Sequence, residues 1–184
     1  MHEPDQTGSN DLIMSNTTIA SAYLDSILKR FKSYKELGEK TFAQLNEKEF
    51  LFTPNEASNS IALIIQHMHG NMMSRWTNFL TEDGEKAWRT RDEEFESQDF
   101  SKARLLQLWE EGWDCMFKAL ESLKEEDLVK TIYIRTEAMT ALDAINRQLA
   151  HYSYHVGQIV FIGKLLLNAE WKSLSIPKKP SAKA

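Results

Sequence analysis

Ala150-His151-Tyr152-Ser153-Tyr154-His155-Val156-Gly157-Gln158-Ile159 places two imidazoles four residues apart, inside an apolar segment with no Gly or Pro break before them. In a helix, positions i and i+4 are offset by only about 40° and lie one turn apart, so both rings stand on one face and reach a single point. A shared metal ion is the natural occupant.

Outward from this run, the chain reads as four long helical patterns with few strand signals, which predicts an all-α fold. The spacing predicts a first helix from about Thr17 to Leu45, carried by Ile19, Tyr23, Ile27, Phe31, Tyr34 and Phe42, with Ser15 or Asn16 as its cap. A turn-rich link, Thr53 to Asn59, leads to a second helix from about Ser60 to Leu80. A long charged connection from Thr81 to Asp99 precedes a third helix, Ser101 to Leu123, with Leu105, Leu108, Trp109, Trp113, Phe117 and Leu120 as one apolar stripe. A loop of that length is functional or partly disordered. Between Val129 and Met139 the alternation Ile132, Ile134 suggests a short extended piece or hairpin arm. The fourth helix, about Thr140 to Ala169, is apolar on most of its circumference and is expected to sit centrally.

Composition bounds the rest. A chain of 184 residues, 42% hydrophobic and 27% charged, fits one globular domain that closes its core without disulfides or a stapling metal, so a metal here is expected to be functional. The domain is expected over residues 16–176, between flexible tails at 1–15 and 177–184. The formal charge of -5 and the lack of any large basic block argue against nucleic acid as a partner. No stretch approaches the 18 or more apolar residues that span a bilayer, and the polar N-terminus has no signal-peptide pattern. With one cysteine, Cys115, these features point to the cytoplasm.

Two histidines need a third ligand. The second helix offers His67 and His69, which cannot both serve, because residues two apart point roughly 200° away from each other. A helical wheel centred on Ile61, Ile65, Met68, Met72 and Phe79 leaves His69 nearer the stripe and argues for His69.

The segment Asn59 to Met72, with Ser74-Arg75-Trp76-Thr77-Asn78-Phe79-Leu80, Asp83-Gly84-Glu85-Lys86, Trp88-Arg89-Thr90-Arg91-Asp92 and Ala144 to His151 running on through Gly157-Gln158, resembles the DinB and YfiT-like superfamily. The likeness is to its branch of DinB-related proteins of unknown function and covers about Tyr34 to Pro177. The resemblance implies a four-helix bundle with a long loop between helices 2 and 3. It implies that one His of the second helix and two of the fourth hold a metal: His67, His151 and His155. It thus selects His67 where the wheel selects His69. Thr136 stands where the resembling proteins tend to carry Gly.

Three neutral imidazoles suit zinc, nickel, copper or iron(II), with Zn or Ni as the expected divalent metal, and leave an open position for water or substrate. Some members of the superfamily are thiol-dependent transferases or isomerases, so the resemblance implies a metal-dependent transferase acting on a small thiol, deprotonated on binding. The alternatives are a metal-dependent hydrolase and a non-catalytic, stress-related metal-binding bundle. A homodimer is the expected assembly. A di-iron centre is disfavoured because no Glu-x-x-His occurs. Glu137 and Asp143, the nearest acid or base candidates in sequence, start the fourth helix two to three turns from His151. Gln158 and Asn71 are candidates to orient a ligand, Arg75-Trp76 to pack or to line a pocket mouth, and Cys115 to be a buried thiol rather than a nucleophile.

Overall fold

The computed structural model describes residues 17–96 and 98–176; both expected tails and the expected caps Ser15 and Asn16 lie outside the described residues. Four long helices account for most of it: α1 (Ile19–Phe42), α3 (Ile61–Trp76), α4 (Lys102–Glu121) and α5 (Ala141–Leu167), with a one-turn α2 (Glu47–Phe50) after α1. Each long helix starts at a Ser or Thr whose hydroxyl accepts a first-turn N–H: Thr18 from Ser21, Ser60 from Leu63, Ser101 from Arg104 and Thr140 from Asp143. The turn α2 is unanticipated in the sequence reading, yet it carries a capping box in which Asn46 and Glu49 exchange side-chain and backbone bonds. The chain is thus mostly helical, as the sequence predicts, with one small sheet.

One aromatic ring from each long helix meets at the centre. Phe31 of α1 lies 6.4 Å from Trp76 of α3, 6.3 Å from Trp113 of α4 and 6.0 Å from Tyr152 of α5, centroid to centroid. All four are fully buried. Burial of rings of this size contributes roughly 1.5–3 kcal/mol each, and edge-on ring pairs add about 0.5–1.5 kcal/mol. Helix α4 comes close to α3 at Gly112, where an added Cβ would stand 3.1 Å from Met72 Sδ and 3.3 Å from the His69 backbone.

The expectation that the last helix sits centrally is corrected. It is α3 that is enclosed, with Ala62, Gln66, His67, Asn71, Ser74 and Arg75 buried alongside the apolar positions, while α5 exposes Tyr154, Phe161 and Leu165. The hydrophobic circumference of α5 does not translate into burial because its apolar residues are shared between a core face and an outer face. Among the described residues no helix is long and apolar enough to cross a membrane.

The alternation at Ile132 and Ile134 does form a hairpin, β1 (Thr131–Ile134) and β2 (Glu137–Thr140), antiparallel, with Ile134 opposite Glu137. Its two turn residues, Arg135 and Thr136, have φ of 54° and 64°, the left-handed geometry a two-residue hairpin requires. The Asp83 carboxylate accepts from both of their N–H groups, at 2.9 and 2.7 Å. Gly84 N–H donates to Tyr133 O at 2.8 Å, and Ser74 Oγ donates to Gly84 O at 2.7 Å. The hairpin and α3 therefore pin the start of the long connection and fix where its later residues lie.

Candidate metal centre

His67 on α3 and His151 and His155 on α5 turn their Nε2 atoms toward one another: His67 to His151 is 3.2 Å and His151 to His155 is 3.1 Å. The i, i+4 spacing on α5 supplies two of the rings, and packing of the enclosed α3 against α5 supplies the third. His67 and His155 are buried and His151 is half-buried. Nitrogens bound at about 2.0–2.1 Å would stand roughly 3.3–3.4 Å apart in a tetrahedral site and roughly 2.9 Å apart at right angles. These two separations fall in that range and all three ligand atoms lie within 4.8 Å of one another, so the three histidines can hold a metal ion.

Behind every ring stands an oxygen. His67 Nδ1 lies 2.9 Å from Glu94 Oε2, His155 Nδ1 lies 2.9 Å from Gln158 Oε1, and His151 Nδ1 lies 3.4 Å from Gln148 Oε1. Glu94 is itself clasped by Arg89, Nε to Oε1 at 2.7 Å and Nη2 to Oε2 at 2.8 Å, and can only accept. Nδ1 of His67 therefore donates to it, and the Nε2 lone pair is turned inward. With His151 and His155 likewise protonated at Nδ1, three inward Nε2 lone pairs would face a cation placed among them. The donor set fits a divalent transition ion.

Electrostatics agree. Burial pushes His151 down to about 3, with His155, His67 and the nearby Arg75 and Arg89 adding to the effect; burial likewise pushes His155 down to about 4. Both rings are neutral at physiological pH, the ligating form. Burial raises Glu94, but its bonds to Arg89 and His67 outweigh that and hold it below the ordinary carboxylate range.

His69, the wheel's choice, is corrected: it points at α4, its Nε2 3.4 Å from Glu111 Oε2. The wheel fails because α3 is buried nearly all round, so the stripe's centre faces the core and the site occupies another side of the helix. Glu137 and Asp143 do not line the cleft above the histidines; Glu137 stands 3.9 Å from Arg147. Gln158 is brought to His155 as anticipated. Asn71 lines the cleft and accepts from Tyr152 Oη at 3.0 Å, while Tyr152 accepts from Trp76 Nε1 at 3.0 Å. Arg75 lines the cleft and is buried, whereas Trp76 is core. Cys115 is half-buried, with Sγ 3.7 Å from Thr77 Oγ1.

Residues 18–180 match a family described as a protein of unknown function, DUF1572. The chain belongs to the DUF1572 family. No curated protein and no solved structure matches it. In this DUF1572 protein the long charged connection builds the layer behind His67, which the sequence reading missed. Glu94 and Phe95 lie on a single 3-10 turn, Asp92–Phe95; Phe95 stacks on the His67 ring at 4.8 Å while Glu94 holds its Nδ1. Gly70, one turn after His67, permits this, since a Cβ there would collide with the Glu94 carboxylate. The one sequence signal was the density of Arg and Glu in a connection too long to be a mere link.

Proposed function

We propose that His67, His151 and His155 hold one divalent transition metal, zinc or nickel, with an open coordination position, and that the chain is a metal-dependent transferase acting on small thiols. The observation that carries the reading is the convergence of three Nε2 atoms, each ring backed at Nδ1 by an oxygen. The order of the helices, with one ligand on α3 and two on α5, supports placing the family with the DinB-like four-helix bundles in a single domain over residues 16–176. The exposed apolar residues of α5, Tyr154, Phe161 and Leu165, support a homodimer.

A metal bound there would supply a Lewis-acidic position that favours a thiol as its thiolate. The rest falls to the protein. Gln148, Gln158 and Glu94 fix the ring orientations, and Phe95 and Tyr154 wall the cleft. Among the described residues no Asp or Glu lines it, which favours thiol transfer over hydrolysis, because a thiolate nucleophile requires no protein carboxylate as base.

Elemental analysis of purified protein is expected to show near one transition metal per chain, lost in His151→Ala and kept in His69→Ala. Metal-loaded protein is then expected to turn over an electrophile with a small bacterial thiol. Full metal content in His151→Ala would overturn the site, and full loading without turnover against a panel of thiols would favour the non-catalytic, stress-related metal-binding reading.

A further inference from the structure

Five of the seven arginines in the chain line the one cleft above the histidines: Arg75, Arg89, Arg91, Arg135 and Arg147. The cleft measures about 530 Å³, within the range of small-molecule sites, and among the described residues no Asp, Glu or Lys lines it. In a chain of net charge -5 this is a strong local inversion of sign.

The five divide by what they already hold. Arg75 and the side chain of Arg89 are buried and committed: Arg75 donates to Gly84 O and to Glu85 Oε2, and Arg89 grips Glu94. Arg135 spends its Nε on Glu85 Oε2 at 2.8 Å. Arg91 and Arg147 are different. Both are exposed, and among the described residues Arg91 pairs with no carboxylate while Arg147 has only Glu137 at 3.9 Å, whose side chain is 73% exposed. Two guanidinium forks with open donors thus border a void whose other polar lining is neutral: Asn59, Asn71, Gln148 and Gln158.

A solvated basic surface needs neither a concave floor nor arginine in preference to lysine. Arginine's planar fork matches a carboxylate or phosphoryl group with two parallel bonds. We propose that this cleft takes a small anionic substrate, with Arg91 and Arg147 gripping its carboxylate or phosphoryl group and directing the remainder of the molecule toward the open face of the three-histidine site. This names the substrate class of the site proposed above and rests on that reading.

The test is calorimetric binding of phenyl phosphate and of succinate to the full metal-loaded chain, with metal content measured on the same samples. The wild type is expected to bind at least one probe, more weakly as salt rises, and the tighter probe assigns the anionic group. R91E/R147E is expected to loosen binding roughly ten- to hundredfold with metal content unchanged. R91K/R147K, which keeps charge but loses the fork, is expected to fall between. Both substitutions are at exposed positions, and an unchanged thermal melt checks the fold. Equal binding by wild type and R91E/R147E would overturn the proposal, as would full metal content with neither probe bound. A chain that takes up no metal yet binds a probe through these arginines would refute the histidine reading and leave only the anion-binding role of Arg91 and Arg147 standing.

Discussion

Glu94→Gln removes one charge and leaves the side chain's shape nearly intact, so it isolates what the carboxylate does behind His67. In the wild type three donors share two carboxylate oxygens: Arg89 Nε at 2.7 Å, Arg89 Nη2 at 2.8 Å and His67 Nδ1 at 2.9 Å. The amide has one oxygen and one NH2. If its oxygen faces His67 Nδ1, its NH2 confronts an Arg89 N–H; if it faces Arg89, His67 meets a donor and is driven to carry its proton on Nε2, where a ligand lone pair is required. Either orientation leaves a buried donor unsatisfied, at about 1–3 kcal/mol. The second orientation also removes one of three metal ligands from service. Loss of such an outer partner weakens metal binding about 10- to 100-fold, or about 1.4–2.7 kcal/mol. The assay is competition for zinc against a chromogenic chelator, with Glu93→Gln as control, since Glu93 bonds the Thr90 hydroxyl rather than a histidine. Wild-type zinc affinity in a folded Glu94→Gln protein would refute the claim that this carboxylate fixes the His67 tautomer.

Gly70→Ala is expected to lower zinc affinity by displacing Glu94, while the melting temperature moves less, because the gain in helix propensity of about 1 kcal/mol offsets part of the steric cost. Thr136→Gly is expected to raise stability by about 1–2 kcal/mol in thermal melts, because a β-branched residue is relieved of a left-handed turn position. Burial raises Asp83, but its bonds from the Glu85, Thr136 and Arg135 N–H groups outweigh that and hold its folded pKa below the unfolded value. Its stabilisation is therefore present above a pH of about 4 and lost as pH falls through that region. Denaturant titrations from pH 6 to pH 3 are expected to show a shallower loss of stability in Asp83→Asn than in the wild type; parallel curves would count against the turn-holding role.

The parts of the fold written in local sequence were legible. Three helix starts, at Ser60, Ser101 and Thr140, fall where the sequence puts them, whereas α1 is capped by Thr18 rather than by Ser15 or Asn16; the α5 pair follows from a four-residue spacing. The hairpin showed itself through Ile132 and Ile134, both of which turn inward. What depends on distant partners was not legible. His67 and Glu94 are 27 residues apart and meet only because Asp83 and Gly84 tie the connection to the hairpin and to Ser74. No periodicity encodes that tie. The choice between His67 and His69 failed for a related reason: a helical wheel finds the apolar face, and α3 is enclosed on more sides than that one.

Core and site occupy different layers, and this bears on what a metal does here. The four-ring centre of Phe31, Trp76, Trp113 and Tyr152 closes without any histidine among its members. The histidines instead take their support from polar groups, Glu94, Gln148 and Gln158, and from a connection anchored outside the core. A metal that stapled the fold would be expected where apolar burial is insufficient, and that is not the arrangement here. Tyr152, one residue along α5 from His151, is the point of contact between the layers: its ring belongs to the core, and its hydroxyl, accepting from Trp76 and donating to Asn71 of α3, fixes a cleft-lining amide. The core thereby supports the positions of the three histidines from outside the site itself.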